Sequence, residues 1–96
     1  MKQFAIVVEE KDNVATALQE LHSGDNIQIN TGDATLGVAI EQDVPFGHKL
    51  ALRDITVGEE VMKYGEVIGL ASKDIAKGEH VHVHNVEGLK GRGDKA

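Results

Sequence analysis

The chain contains no cysteine and no tryptophan, and only one tyrosine, one proline and two phenylalanines. Without cysteine there is no disulfide framework, no thiol nucleophile and no thiolate-ligated zinc. With so few aromatic rings, the core must be built from aliphatic side chains. No stretch approaches the ~18 consecutive apolar residues of a membrane span. The first hydrophobic run, Phe4–Val8, is too short for a signal-peptide core and meets Glu9-Glu10 at once. A cytoplasmic protein is expected. The formal net charge of −6 argues against a nucleic-acid surface, which needs a basic face, but leaves room for a local basic cluster that reads a small anion. At 96 residues and 41% hydrophobic content, the chain is long enough for one domain with a real core. Such a domain buries roughly 60–70% of its unfolded surface.

The most informative feature is an internal repeat. Ala51–Val61 and Ala71–Val81 share alanine, a basic residue, Asp-Ile, Gly-Glu and valine at an offset of 20. A looser copy over Ala17–Ile27 keeps Ala17, Glu20, Leu21, Gly24, Asp25 and Ile27 in the matching places. In each exact copy an aspartate (Asp54, Asp74) can accept backbone N–H groups and open a tight turn. An isoleucine (Ile55, Ile75) forms an apolar plug, and a glycine (Gly58, Gly78) can close the turn at positive φ. Units so short and so few do not stack into a solenoid, which needs at least ~3 regular repeats. They suit a folded-over sheet with pseudo-symmetric turns, and Asp54, Glu59, Asp74 and Glu79 then belong to turn architecture rather than to a paired-carboxylate mechanism.

Along the chain, Phe4–Val8 reads as a buried strand. Val14, Ala17, Leu18 and Leu21 fall on one helical face, so a helix capped by Asp12 or Asn13 is expected over Val14–Leu21, ended by Gly24. Residues 25–40 predict a hairpin around Thr31-Gly32-Asp33, and Val61–Tyr64 with Glu66–Leu70 predict a second around Gly65. Leu50–Leu52 and Glu79–His84 read as further strands. From Val86 onward three glycines and five charged residues read as a tail or linker. The expected organisation is a mainly β domain over residues 1–86, with about seven short strands and one short helix, followed by a flexible tail over 87–96.

His80, His82 and His84 alternate along the last expected strand, which puts all three on one face at ~6.5–7 Å intervals, with Val81 and Val83 buried behind them. Two of them can chelate one metal ion. The same face can instead meet a substrate or a protein partner, or simply be solvated. His48, in a glycine-flanked loop behind Pro45, is placed to approach a ligand and move a proton. Lys49 and Arg53 can hold a carboxylate. Tyr64, beside Lys63, is expected to fill the core with its hydroxyl at the rim.

Pro45-Phe46-Gly47-His48-Lys49, Ala51-Leu52-Arg53-Asp54-Ile55, Lys63-Tyr64-Gly65-Glu66-Val67-Ile68-Gly69 and Gly78-Glu79-His80-Val81-His82-Val83-His84-Asn85 together resemble the small SAF-type domain of the altronate/galactarate dehydratase family. The stretch Asp12-Asn13-Val14-Ala15 is similar too. This resemblance implies a β-clip, a strongly bent set of short strands. It also implies a role as the small subunit or N-terminal domain of a sugar-acid dehydratase, a hydro-lyase, inactive alone and sharing its active site with a large catalytic subunit. In such enzymes a base removes the proton next to the carboxylate, a divalent metal, iron(II) or manganese(II), stabilises the enediolate, and the 3-hydroxyl leaves as water. The metal is held either by this chain or by the large subunit. The site residues implied are His48 as the catalytic residue, Lys49, Arg53 and Asn85 at the substrate, and His82, His84 and His80 at the metal. The start at Met1 favours a separate small subunit over the first domain of a longer chain. Open beside this are a sulfolactate sulfo-lyase small subunit, a non-catalytic module that binds a small carboxylate or a protein, and a self-associating β-clip.

Overall fold

The computed structural model describes residues 3–32 and 34–88. Its strands are β1 (Ala5–Ile6), β2 (Val14–Ala17), β3 (Asn26–Asn30), β4 (Thr35–Ala39), β5 (Lys49–Ala51), β6 (Glu60–Lys63), β7 (Glu66–Ala71), β8 (His80–Val81) and β9 (Val86–Gly88). They form a four-stranded sheet in the order β1-β2-β5-β8, a β3-β4 hairpin and a three-stranded sheet in the order β6-β7-β9. All pairings are antiparallel. The domain is thus the bent, mainly β type expected. Both predicted hairpins form, and no helix is present among the described residues.

The helix expected over Val14–Leu21 is instead β2 followed by a bridge from Leu21 to Val44. The reason lies at Asp12 and Asn13. Their side chains do not cap a local helix but reach the distant β6-β7 hairpin. Asp12 accepts the Tyr64 and Gly65 N–H groups at 2.9 and 2.7 Å. Asn13 Oδ1 accepts the Met62 N–H at 2.7 Å, and its Nδ2 donates to the Glu60 carbonyl at 2.8 Å. A spacing compatible with a helix yields to a sheet that is apolar on both faces: Val14 packs into one core cluster while Ala15 and Ala17 pack into the other. Tyr64 is also corrected. It does not fill the core but sits half exposed in the two-residue hairpin loop, at φ 58 with Gly65 at φ 78, and Lys63 Nζ lies 4.8 Å from its ring centroid. Positive φ at both loop residues gives the twist that a two-residue hairpin requires.

The repeat is a set of interlocked turns. The Ile55 N–H donates to the Ile75 carbonyl and the Ile75 N–H to the Ile55 carbonyl, both at 2.8 Å. Around this bridge, Gly58 N–H bonds the Ala71 carbonyl and Gly78 N–H the Ala51 carbonyl. Asp74 accepts from Val57 N–H and Asp54 from Lys77 N–H, each at 2.9 Å, so each aspartate caps the other copy's turn. The same exchange is built a second time from Leu21 and Val44, whose N–H groups and carbonyls pair at 2.9 Å. There Gly24 N–H bonds the Ile40 carbonyl and Gly47 N–H the Ala17 carbonyl. The partner of the loose copy is therefore a fourth copy, Asp43-Val44-Pro45-Phe46-Gly47-His48, which matches Asp54-Ile55-Thr56-Val57-Gly58-Glu59 place by place but carries proline and histidine at two of its positions. All four turn glycines have φ between 86° and 96°.

Each turn pair has its own apolar cluster. Leu21 and Val44 pack with Ala15, Ala17, Ile29, Ile40 and Leu50, whereas Ile55 and Ile75 pack with Val14, Ala51, Val61, Ala71 and Val81. The central sheet divides the two, because alternate residues of β2 and β5 point to opposite faces. At the chain's end, Glu87 and Gly88, assigned to the tail by sequence, belong to β9, where they pair with Leu70 and Gly69. The rest of that expected tail lies outside the described residues. Among the described residues, no helix is long and apolar enough to cross a membrane.

The turn glycines are not equivalent in packing. A Cβ on Gly58 would meet open space, whereas one on Gly78 would overlap the Ala39 carbonyl oxygen. Gly58→Ala should therefore cost ~1–3 kcal/mol from positive-φ strain alone. Gly78→Ala should add ~1–3 kcal/mol of overpacking. Urea denaturation of the two variants checks this; equal losses would contradict it.

Candidate functional site

The two turn pairs meet where β5 pairs with β8, and the histidines gather there. His48 ends the Pro45 turn and leads into β5; His80 follows the Glu79 turn and opens β8. His80 sits opposite Leu50 in the ladder. Residues directly opposite in an antiparallel pair share a face, as do His48 and Leu50 two positions apart, so His48 and His80 project together. His48 Nδ1 lies 2.9 Å from His80 Nε2. The His80 N–H is fixed by Gln42 Oε1 at 3.1 Å.

The long histidine strand expected over Glu79–His84 stops at Val81. His82–Asn85 is a turn, closed by the Asn85 N–H on the His82 carbonyl at 3.1 Å. The turn folds the His82 ring over His48, with centroids 4.3 Å apart and planes at 16°. His84 is exposed, its ring 5.3 Å from that of His80. Val83, expected to be buried, is 81% exposed because it rides on this turn rather than in a sheet. The three half-buried rings of His48, His80 and His82 bring one nitrogen each within 4.8 Å of one another. His48, which the sequence placed apart from the metal set, thus joins His80 and His82, while His84 stands at the margin.

Burial, followed by the neighbouring His48, His84, His82 and Lys49, lowers the His80 pKa from 6.5 to about 4. His82 is lowered too, by desolvation first and then by His48, Lys49 and His84. Both imidazoles are therefore held neutral near pH 7, the form that ligates metal and accepts protons. Metal–nitrogen bonds of ~2.0–2.1 Å set ligand atoms ~3–4 Å apart, so the three nitrogens need only small shifts to share an ion. The donor set fits a divalent metal.

Lys49 lies close enough to act on His80 and His82, and its own pKa is lowered by burial and then by Lys63. It is a cation beside the cluster whose charge is poorly compensated. Arg53 is engaged elsewhere: Nη1 donates to Glu59 Oε2 at 2.9 Å and to the Asp54 carbonyl at 3.3 Å. Asn85 is buried, with both ends of its amide on the backbone. Oδ1 accepts the His82 N–H and Nδ2 donates to the His80 carbonyl, each at 2.9 Å. It fixes the histidine turn. The fourth turn copy went unread in the sequence. The signal was there in Asp43-Val44 and Gly47, but its spacing of 11 to the next copy breaks the 20-residue offset.

The lowered His80 pKa sets a pH dependence. As pH falls through 6.5 the unfolded chain takes up a proton that folded His80 refuses until about pH 4. The native state binds fewer protons in this window, so the contribution is complete above it and is lost as pH falls across it. His80→Gln should flatten that part of the stability–pH curve measured by urea denaturation; unchanged slopes would contradict the assignment.

Residues 3–89 match the family described as the altronate/galactarate dehydratase SAF domain. The chain is similar to altronate dehydratase of Bacillus subtilis (strain 168), at 42% identity over 89 residues, covering 91% of this chain and 16% of that protein. It is 48% identical over 80 residues to altronate dehydratase of Escherichia coli (strain K12), covering 83% of this chain and 15% of that one. It is also 49% identical over 55 residues to the (2R)-sulfolactate sulfo-lyase subunit alpha of Chromohalobacter salexigens, covering 57% of this chain and 58% of that subunit. The chain therefore spans about a sixth of the length of the altronate dehydratases it matches. Over nearly all of its length, with its interlocked turns and the histidines they carry, it belongs to the altronate/galactarate dehydratase SAF domain family.

Proposed function

We propose that this domain contributes part of the active site of a sugar-acid dehydratase, as a domain or subunit working with a larger catalytic portion. The observation that carries this reading is the cluster of three ring nitrogens within 4.8 Å, on a domain shared with altronate dehydratases. His48, His80 and His82 are the residues that would hold a divalent metal, iron(II) or manganese(II). Bound there, the metal supplies Lewis acidity to carboxylate and hydroxyl oxygens.

The reaction is loss of water from a 2,3-dihydroxy acid: the C2 proton leaves to a base, the C3 hydroxyl departs as water, and the enol becomes a 2-keto-3-deoxy acid. Lys49 draws in the carboxylate, which relieves its own repulsion from Lys63. Exposed His84 stands at the rim of the cluster, its ring 5.3 Å from that of His80, within reach of a bound acid. The base role expected of His48 passes to His84 or to the larger portion, because a ring nitrogen given to a metal cannot also take a proton. Asn85 acts through the turn it holds, and Arg53 through Glu59.

Elimination of sulfite instead of water is a second reading. It is supported by the sulfo-lyase relative, a short subunit of which 55 matched residues make up 58%. The two differ in leaving group, and the same chain residues serve both.

Manganese(II) added to the protein should broaden the ring signals of His48, His80 and His82 in NMR spectra at stoichiometric metal. His48→Ala should weaken binding at least ~10-fold by calorimetry, the lower end of what loss of even an outer-shell partner does. No binding would move the metal to the larger portion, and unchanged affinity in the variant would remove His48 from the ligand set.

A further inference from the structure

Five turns in the described residues share one local bond. The Glu59 carboxylate accepts the Thr56 N–H at 2.8 Å, Glu79 the Ala76 N–H at 2.7 Å, Asp25 the His22 N–H at 2.9 Å and Asp12 the Glu9 N–H at 3.2 Å. Asn85 does the same for the His82 N–H. In each, a side-chain oxygen three residues on reaches back to the first N–H of the turn, while its own N–H closes the turn on that first residue's carbonyl. The turn from Pro45 to His48 has the same closing bond, His48 N–H to the Pro45 carbonyl at 3.0 Å. It lacks the other, because proline has no N–H.

The consequence falls on one atom. Asp25 and Asn85 make the bond with an oxygen attached to Cγ, and histidine's Nδ1 is attached to Cγ as well. With an ordinary residue at position 45, that N–H would compete for His48 Nδ1, the atom that meets His80 Nε2 at 2.9 Å. We propose that Pro45 is a positioning residue for His48: by deleting the turn N–H that the residue three positions on otherwise bonds, it leaves the imidazole free to turn towards His80 and His82. The single proline of the chain then marks the one copy of the turn converted from a structural to a functional use. The direction of the ring is set by the turn, whatever the cluster binds.

The test is Pro45→Ala in the full chain, read without metal by NMR at a pH where His80 is neutral. The wild type should show ring-to-ring cross-peaks between His48 and His82, whose centroids are 4.3 Å apart. In Pro45→Ala these should fall at least twofold, and the backbone amide gained at position 45 should be protected from exchange. Unchanged cross-peaks with a freely exchanging amide at that position would overturn the proposal, since a proline that merely stiffened the loop would leave the ring in place. Thermal melting of Pro45→Ala/His48→Asp against Pro45→Ala/His48→Ala covers the case in which the single variant folds poorly. Aspartate rebuilds the capped turn and alanine leaves the gained N–H without a side-chain acceptor, so the aspartate variant should melt ~4–8 °C above the alanine variant, the shift that one ~1 kcal/mol capping bond gives a domain of this size. Both variants lose the proline's stiffening of the unfolded chain, so that term cancels in the comparison. No gain with aspartate would show that position 48 does not face that N–H and would also overturn the proposal.

Discussion

The reciprocal backbone exchange between paired turns is the constraint on which the rest of the molecule depends. Ile55 with Ile75, and Leu21 with Val44, each form a two-bond bridge at the middle of a turn pair. Each bridge buries two aliphatic plugs and satisfies the backbone around them, which matters because buried N–H and C=O groups without partners are costly. Strands of two to six residues are weak on their own. They persist here because every turn is held by the strand leading into its partner. β5 leaves one turn pair and enters the other, and its pairing with β8 locks the two pairs together. The Glu41 N–H on the Gly78 carbonyl, with Ala39 against Gly78, seals the same seam.

The histidine cluster lies on that seam, and its chemistry follows from where the charges went. The chain has six more acidic than basic residues. Yet Asp12, Asp25, Asp43, Asp54, Glu59, Asp74 and Glu79 all spend carboxylate oxygens on backbone N–H groups. Among the described residues, the groups acting on His80 are other histidines and Lys49, with no carboxylate among them. An acidic protein thus presents a locally electron-rich but cation-flanked patch. Folding uses the acids as turn caps, and that same use clears them from the site.

Much was legible in advance because it rests on local chemistry. The Asp-Ile and Gly-Glu spacing identified the turns and assigned their carboxylates to turn architecture, where they accept backbone N–H groups. The Tyr64-Gly65 hairpin and the one over residues 25–40 were readable from turn residues between alternating strands. The errors have a common physical origin. Val14–Leu21 has helical spacing, but Asp12 and Asn13 bind a hairpin some fifty residues away, and no window on the sequence contains that bond. The three alternating histidines suggested one flat strand. Asn85, whose amide bridges the His80 carbonyl and the His82 N–H, turns the chain there instead.

The sequence by itself determined the building unit: a plug, a glycine turn and a capping side chain, with composition enough for one aliphatic β domain and residue patterns specific to its family. Tertiary structure decided which turns pair, and therefore which histidines meet. His48 and His80 are 32 positions apart, and their contact exists because His48 ends a turn of one pair while His80 directly follows a turn of the other. Turn chemistry acts over three or four residues and can be read directly. The pairing of turns is settled by which plugs bury together, a competition among the whole chain's apolar groups that no local pattern records.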